Sequence, residues 1–459
     1  LDAGGAVERE RSLEDLLREA GNPVDLLRDA QALPYTFPVA PEFTNWRDEQ
    51  RAWRESCALL DQSHHMTDLF VEGPDALALL SRLGVNGFEG FGPGRAKQFV
   101  ACNPEGYVVG DAILYCLGGG SFDLVGHHMV LDWVEYHAES GEYDVEVERD
   151  ENSLLRQGPP KVYRYEVQGP LAPEVLRRAA GGELPEVRFF GVAEVVISGC
   201  RVRALRHGMA GQPGFELSGP WEEGERVLEE LLRSGEEFGM LRAGSKAYSA
   251  ANLESGWIPS PCPAIYTGEK LKSYREWLPA KRAGSLGGSF CSEKIEDYYF
   301  TPYELGYGRF VKFDHDFVGR EALQEMAERP TRRKVTLVWD GEDVKEAFGS
   351  LFEKEDLPAK YIDLPLSNYA TLPYDRVEKE GRVVGVSTYT GYSYNERSML
   401  SLAVVEEEQA ELGTQLTLLW GEKPNSRKPQ VEPHEQVEIK ATVAPAPVAE
   451  YARTAYRRG

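Results

Sequence analysis

Near the N-terminus, Leu13, Leu16, Leu17, Leu26 and Leu27 stand among charged residues at helical spacing, which predicts two short amphipathic helices within residues 1–31. Residues 33–46 lose that period, carry prolines and read as an extended arm. From Arg51 short elements of both kinds alternate: a helix around Trp53, a strand at 66–71, a helix at 74–83, and strands at 97–101, 107–117 and 122–125. Gly118-Gly119-Gly120 forms the turn between the last two. No helix follows this triple glycine at the spacing a phosphate loop needs, which argues against a nucleotide site there.

A second unit of the same kind begins near Tyr163 with a strand into Gln168-Gly169-Pro170, then a helix at 172–180 and strands through 193–205. A helix at 222–238 follows, whose Val227, Leu228, Leu231 and Leu232 share one face and which ends before Gly239. Beyond about residue 325 the pattern turns to short β-like runs at 334–338, 382–387, 399–404, 415–419 and 436–443, which predict a small antiparallel barrel or jelly-roll-like sandwich. The expected class is α+β. Its expected division is an N-terminal segment, 1–50, packing with the second α+β unit; a first α+β domain, 51–150; a second, 151–325; and a C-terminal β domain, 326–459.

Composition narrows the function classes. With 459 residues and 42% of them hydrophobic, the chain can bury several cores. The net charge of -24 argues against a nucleic-acid or anionic-membrane partner, since the basic clusters Arg332-Arg333-Lys334 and Arg457-Arg458 are too short to offset it. No run of about eighteen apolar residues occurs, and the acidic N-terminal stretch lacks the regions of a signal peptide, so a cytoplasmic location is expected. The six cysteines show no paired spacing and are expected to be reduced; Cys262, in a Pro-Ser-Pro-Cys-Pro loop, shows no sign of being a nucleophile.

The densest chemical information lies in Arg206-His207-Gly208-Met209-Ala210-Gly211-Gln212-Pro213-Gly214-Phe215-Glu216-Leu217, followed by Tyr248 and by Leu253-Glu254-Ser255-Gly256-Trp257-Ile258-Pro259-Ser260-Pro261. So many glycines with a proline predict a sharp turn rather than a helix or central strand. The turn runs into an alternating segment that sends Glu216 to the face opposite Phe215 and Leu217. This string resembles the loop before the pterin-binding glutamate of the glycine-cleavage T-protein (aminomethyltransferase) superfamily. Further segments are similar to its tetrahydrofolate-dependent aryl O-demethylases, which act on vanillate, syringate and 3-O-methylgallate. Among these segments are Asp61-Gln62-Ser63-His64-His65-Met66, Gln168-Gly169-Pro170, Tyr274-Arg275-Glu276-Trp277-Leu278-Pro279 and Tyr389-Thr390-Gly391-Tyr392-Ser393-Tyr394-Asn395-Glu396.

The resemblance implies two ferredoxin-like α+β domains and a C-terminal jelly-roll-like domain arranged as a ring around a folate channel. It also implies roles. Tyr248 is the proton donor that a poor phenolic leaving group needs, and His65 orients the substrate oxygen with Gln62 beside it. Tyr35 lines the substrate pocket. Glu216 pairs with the pterin donors, Trp257 and Phe189 wall the pterin slot, and Gln168 and Val125 complete the tetrahydrofolate contacts. A metal site is not expected, because adjacent histidines point apart and no partners accompany His64 and His65 at ligand spacing. No obligatory protein partner is implied.

One departure stands out. Where the vanillate-type enzymes carry an arginine after Val-Gly, this chain has His127 after Val125-Gly126. Histidine grips a carboxylate only when protonated and without a bidentate fork, so a substrate lacking a benzoate carboxylate becomes an expectation. Two other readings remain at this stage: a glycine-cleavage aminomethyltransferase acting on an aminomethyl-lipoyl partner protein, and a noncatalytic folate-binding protein on the same fold.

Overall fold

The computed structural model describes residues 10–34, 38–328, 331–424 and 426–455. Three β layers organise them. The first is a five-stranded antiparallel sheet in the order Ala96–Cys102, Val108–Gly118, Ser121–Gly126, Thr67–Glu72, Glu146–Asp150. The second has six strands in the order Leu241–Ala243, Ala58–Asp61, Val162–Gln168, Gly214–Pro220, Cys200–Leu205, Val192–Ile197, antiparallel apart from the first pair. The third is a closed six-stranded antiparallel barrel built from Arg332–Trp339, Ser398–Glu406, Arg382–Ser393, Asp375–Lys379, Gln415–Trp420 and Val437–Ala444. Closure leaves the barrel no edge.

The helices and turns follow local chemistry. Helix Leu13–Ala20 opens with a Ser12–Asp15 capping box and Pro23–Asp29 has proline in its first turn after an Asn22 cap, so exposed first-turn N–H groups are satisfied at both. Gly118, Gly119 and Gly120 all take positive φ, as a tight hairpin requires. The helix that carries Tyr248, Ser245–Ser255, has no side-chain cap; the arm supplies one instead, with Ala40 and Pro41 carbonyls accepting from the Ser245 and Lys246 amides. A Cβ on Gly244 would lie 2.3 Å from the Pro41 oxygen, so only glycine lets the arm approach.

Several expectations need correction. Helix Trp46–Glu55 and strand Ala58–Asp61, assigned to the first unit, belong to the second: the strand pairs with Val162–Gln168, and Trp53, Ala58 and Leu60 share a core with Tyr248. Conversely, the two N-terminal helices do not pack with the second sheet. Leu13, Leu17, Val24 and Leu27 enter the large core of the first, alongside Tyr266, Tyr274 and Leu278 from the long connection after Trp257. Among the elements that escaped the pattern reading, three are instructive. Helix His128–Ser140 starts directly after a strand without a side-chain cap and buries six consecutive residues, Met129–Val134, so no amphipathic stripe announces it. Strand Glu146–Asp150 is mostly polar and lies at a sheet edge, and helix Gly341–Gly349 interrupts the barrel.

Candidate active site

The strand Val162–Gln168 sits inside the second sheet, and its alternation organises the site. Tyr163, Tyr165 and Val167 enter the core of that layer, while Arg164, Glu166 and Gln168 share the opposite face and are all buried. Each of the three grips a different part of the pocket. Arg164 Nε donates to Glu216 Oε1 (3.1 Å) and Nη2 to Asp68 Oδ1 (2.8 Å). Glu166 accepts from Gln62 Nε2 (2.5 Å), from the Met209 amide (2.6 Å) and from Gln168 Nε2. Gln168 Oε1 takes the amides of Ala210 (2.7 Å) and Gln212 (3.1 Å).

The glycine-rich segment is thus a braced turn. Gly211 adopts φ +69°, and Cβ atoms on Gly208 or Gly214 would collide with Gln168 Oε1 at 2.8 Å or the Val167 carbonyl at 2.4 Å. The turn delivers Glu216 to the pocket face of Gly214–Pro220 while Leu217 enters the core. Tyr115 from the first sheet donates its hydroxyl to Glu216 Oε1 (2.6 Å), so the two layers meet at this carboxylate. Tyr115 and Arg164 both use the same oxygen, and neither engages Oε2. Val125 packs with Ile113, Tyr115 and Leu205 as an apolar wall, with Phe190 against it. Phe189 lies edge-on to Phe190 (4.7 Å between ring centres), and both rings flank His207.

At a second point of the pocket, His65 Nε2 meets the Tyr248 hydroxyl at 2.8 Å. Gln62 Nε2 is held by Glu166 Oε2 (2.5 Å). Burial pushes the His65 imidazole down to about 3, with the Arg164 charge adding to the effect, so the ring is neutral at physiological pH. Burial and the carboxylates of Glu166 and Glu216 raise Tyr248 well above the usual phenol range, so it holds its proton. His64 turns away, toward Asp61 (3.7 Å) and the edge of Trp221.

Trp257 marks a third corner. Its indole N–H faces Asp111 Oδ2 (3.1 Å) and the Tyr307 hydroxyl (2.9 Å), and Tyr307 donates to the same Asp111 oxygen (3.0 Å). Desolvation lifts Asp111 to about 6, against the hydrogen bonds from Tyr307, Trp257 and Gln98. Asp111, Ile113 and Tyr115 alternate along one strand face, so Trp257 and Glu216 are linked to points about four residues, roughly 13 Å, apart on a single strand.

His127 is exposed, and its ring lies against that of His128 (4.3 Å between ring centres). Desolvation by the surrounding protein lowers its pKa well below the ordinary value, helped by His128 and Arg282, so it carries no charge near neutral pH. Its cationic neighbour Arg282 is bonded to Glu151 (2.9 Å) and paired with Asp132 (3.4 Å). Tyr35 lies outside the described residues.

The structure therefore joins Tyr248 to His65 directly, ties Gln62 to Glu166, and sets Glu216, Val125 and Phe189 around one end of the pocket. The side chain of Gln168 is engaged by Glu166 and by the amides of the glycine turn. Pattern reading missed Tyr115, Arg164, Glu166, Asp111 and Tyr307. The one available signal was Tyr-Arg-Tyr-Glu-Val-Gln, where polar residues occupy every second position of a strand.

These features can be set beside known proteins. The GCVT N-terminal domain family matches residues 30–260. A syringate O-demethylase from Sphingobium sp. is 48% identical over 453 residues, covering 97% of this chain and 98% of the relative. The chain belongs to the tetrahydrofolate-dependent aryl O-demethylases of the glycine-cleavage T-protein superfamily. A sesamin methylene transferase from Sinomonas sp. is 30% identical, covering 78% of this chain and 80% of the relative. The aminomethyltransferase of Caldanaerobacter subterraneus is more distant, 26% identical over 85% of this chain and 87% of the relative. This chain shares its fold with the glycine cleavage aminomethyltransferase T of Bartonella henselae, with a TM-score of 0.61, 19% identity, and coverage of 95% of this chain and 97% of that one.

Proposed function

We propose that the enzyme transfers the methyl group of a methoxylated phenolic aromatic to tetrahydrofolate, with Tyr248 protonating the departing phenolic oxygen. The single observation that carries this reading is the buried Tyr248–His65 hydrogen bond, close to the carboxylates of Glu166 and Glu216. The pocket residues fit a reduced pterin. Glu216 presents an oxygen that Tyr115 and Arg164 do not use, beside an apolar wall of Val125 and Ile113 and the rings of Phe189 and Phe190. Bound tetrahydrofolate would supply the nitrogen that takes the methyl group.

The chain's own groups then manage the charge. As the carbon–oxygen bond breaks, negative charge grows on the phenolic oxygen, and an aryl oxide leaves poorly without a proton. His65, neutral and with Nε2 on Tyr248, donates to the tyrosine oxygen in its Nε2–H tautomer. That contact turns the tyrosine's own proton toward the substrate and stabilises the tyrosinate left behind. The syringate O-demethylase relative supports a ring with a free hydroxyl beside its methoxyl group. The alternative aminomethyltransferase reading has weaker support, resting on relatives at 26% identity.

Glu216→Gln and Trp257→Ala are expected to weaken tetrahydrofolate binding while sparing the aromatic. Loss of the charged partner in the first should cost about 1.5 to 3 kcal/mol. Calorimetric titration decides it, and unchanged folate affinity in both variants removes the pocket assignment.

Position 127 is proposed to meet the ring position opposite the hydroxyl, where a benzoate carries its carboxylate, as an uncharged side chain. A neutral methoxyphenol is then processed at least as well as the matching benzoate. His127→Arg is expected to shift kcat/KM toward the benzoate by about tenfold or more, the worth of a charged hydrogen bond. Guaiacol and vanillate compared in both proteins test this; a strong vanillate preference in each, with no shift between them, contradicts it.

A further inference from the structure

Within the basic run Arg332-Arg333-Lys334, the first two residues have carboxylate partners and the third does not. Arg332 pairs with Glu304 (2.6 Å) and Arg333 with Glu407 (2.7 Å). Lys334, next on the barrel strand Arg332–Trp339, forms no ion pair or hydrogen bond among the described residues. Its half-buried side chain lies along Gly306, where an added Cβ would stand 3.5 Å from Lys334 Cε and 3.6 Å from Nζ. The following residue, Tyr307, is the one whose hydroxyl joins Asp111 (3.0 Å) and the Trp257 indole (2.9 Å). Arg309, two residues further, is exposed, rests its guanidinium over the Phe310 ring (4.6 Å) and likewise forms no ion pair or hydrogen bond among the described residues. Two cations without a paired carboxylate thus stand at the turn that builds the Trp257 corner, in a chain whose 75 acidic residues outnumber its 51 basic ones.

We propose that Lys334 and Arg309 bind the carboxylates of the glutamyl tail of tetrahydrofolate, so that the enzyme prefers the oligo-γ-glutamyl form of the folate to the monoglutamate. The reasoning rests on the methyl-transfer reading above and deepens it. Glu216 and Trp257 are linked to points roughly 13 Å apart on one strand. Folate is elongated, with pterin, aminobenzoyl ring and glutamyl tail in line. A ligand with its pterin at Glu216, laid along that strand, runs past Trp257 and brings its tail to the two cations.

The state of Lys334 suits an anion. Desolvation brings its pKa down to about 8 although Asp111 pulls it upward, so the ammonium is charged at neutral pH while short of water. An arriving carboxylate offsets that loss with a charge-assisted hydrogen bond. Asp111 is supported without Lys334, since its Oδ2 accepts from Tyr307, Trp257 and Gln98. Each added γ-glutamyl unit brings one more carboxylate, so chain length is the variable that the two cations read.

The test is anaerobic calorimetric titration of the full-length enzyme with tetrahydrofolate carrying one or three γ-linked glutamates, in the unmodified protein, Lys334→Gln, Arg309→Gln and the double variant. The unmodified enzyme is expected to bind the triglutamate about tenfold tighter than the monoglutamate, the worth of two partly solvated ion pairs. Each single variant should keep about a third of that advantage and the double variant none, and the advantage in the unmodified enzyme should shrink as salt is raised. Equal affinity for the two forms in the unmodified enzyme overturns the proposal, and this comparison needs no variant to fold. An advantage that survives in the double variant also overturns it, as does a loss of syringate affinity in the variants with the chain-length advantage intact, which would give the cations to the aromatic acid instead. An enzyme that binds neither folate sinks the methyl-transfer reading as well, whereas equal binding of both sinks this proposal alone.

Discussion

Tyr248→Phe is expected to bind tetrahydrofolate and aromatic substrate as the unmodified enzyme does, and to transfer the methyl group about 100 to 10,000 times more slowly. The substitution deletes one hydroxyl from a buried ring and almost no volume, so the helix Ser245–Ser255 and its packing on Trp53 and Ala58 survive. What disappears is the only step in which the phenolic oxygen receives a proton from a group already held against His65 at 2.8 Å. The pH behaviour follows from the same geometry. Burial and nearby carboxylates raise the Tyr248 pKa, so its acid form persists through the neutral and mildly alkaline range, and His65, with a pKa of about 3, remains neutral throughout. Loss of Tyr248's proton therefore contributes no decline in the transfer rate between pH 7 and the ordinary phenol range near about 10. Single-turnover quench measurements give the rate; a phenylalanine variant as fast as the unmodified enzyme makes Tyr248 a structural residue.

The second large effect concerns stability. Glu254 is buried where the second unit meets the barrel, accepting from Arg54 (2.8 Å), Trp53 Nε1 (3.2 Å), Ser393 Oγ (2.8 Å) and Asn395 Nδ2 (2.9 Å). Alanine there leaves four donors facing a void, one of them a guanidinium that stays partly solvated. The expected cost is about 3 kcal/mol or more, read as a lower urea midpoint with an unchanged slope. Glutamine, which keeps one acceptor oxygen, should lose less. A loss below about 1 kcal/mol in the alanine variant, the worth of an ordinary hydrogen bond, would show that the barrel loop is held by other contacts. This junction also accounts for the Tyr389–Glu396 motif, whose Ser393 and Asn395 side chains reach back to the helix carrying Tyr248.

How far the sequence reaches is best judged residue by residue. Glu216, Tyr248, His65 and Val125 were legible because a glycine-rich turn, an alternating strand and family-like wording coincided around them. Arg164, Glu166 and Gln168 were harder. A strand with polar residues at every second position ordinarily has one face in water, and period alone does not distinguish solvent from an internal polar channel lined by a second sheet. Helix His128–Ser140 was hidden for the converse reason, since burial on most sides erases the stripe. Strand Ala58–Asp61 falls within the expected first domain yet pairs in the second sheet, because pairing between residues 58 and 168 is a property of topology, invisible to local pattern. Barrel closure likewise depends on Arg332–Trp339 meeting both Ser398–Glu406 and Val437–Ala444.

The most direct test of the central claim is anaerobic incubation of the enzyme with tetrahydrofolate and syringate carrying a deuterated methoxyl group, followed by mass detection of both products. The account predicts 5-methyltetrahydrofolate bearing the intact trideuterated methyl group, in amounts equal to the demethylated phenol and dependent on Tyr248. Phenol formed without labelled methylfolate, or no product from syringate and from neutral methoxyphenols alike, would contradict it.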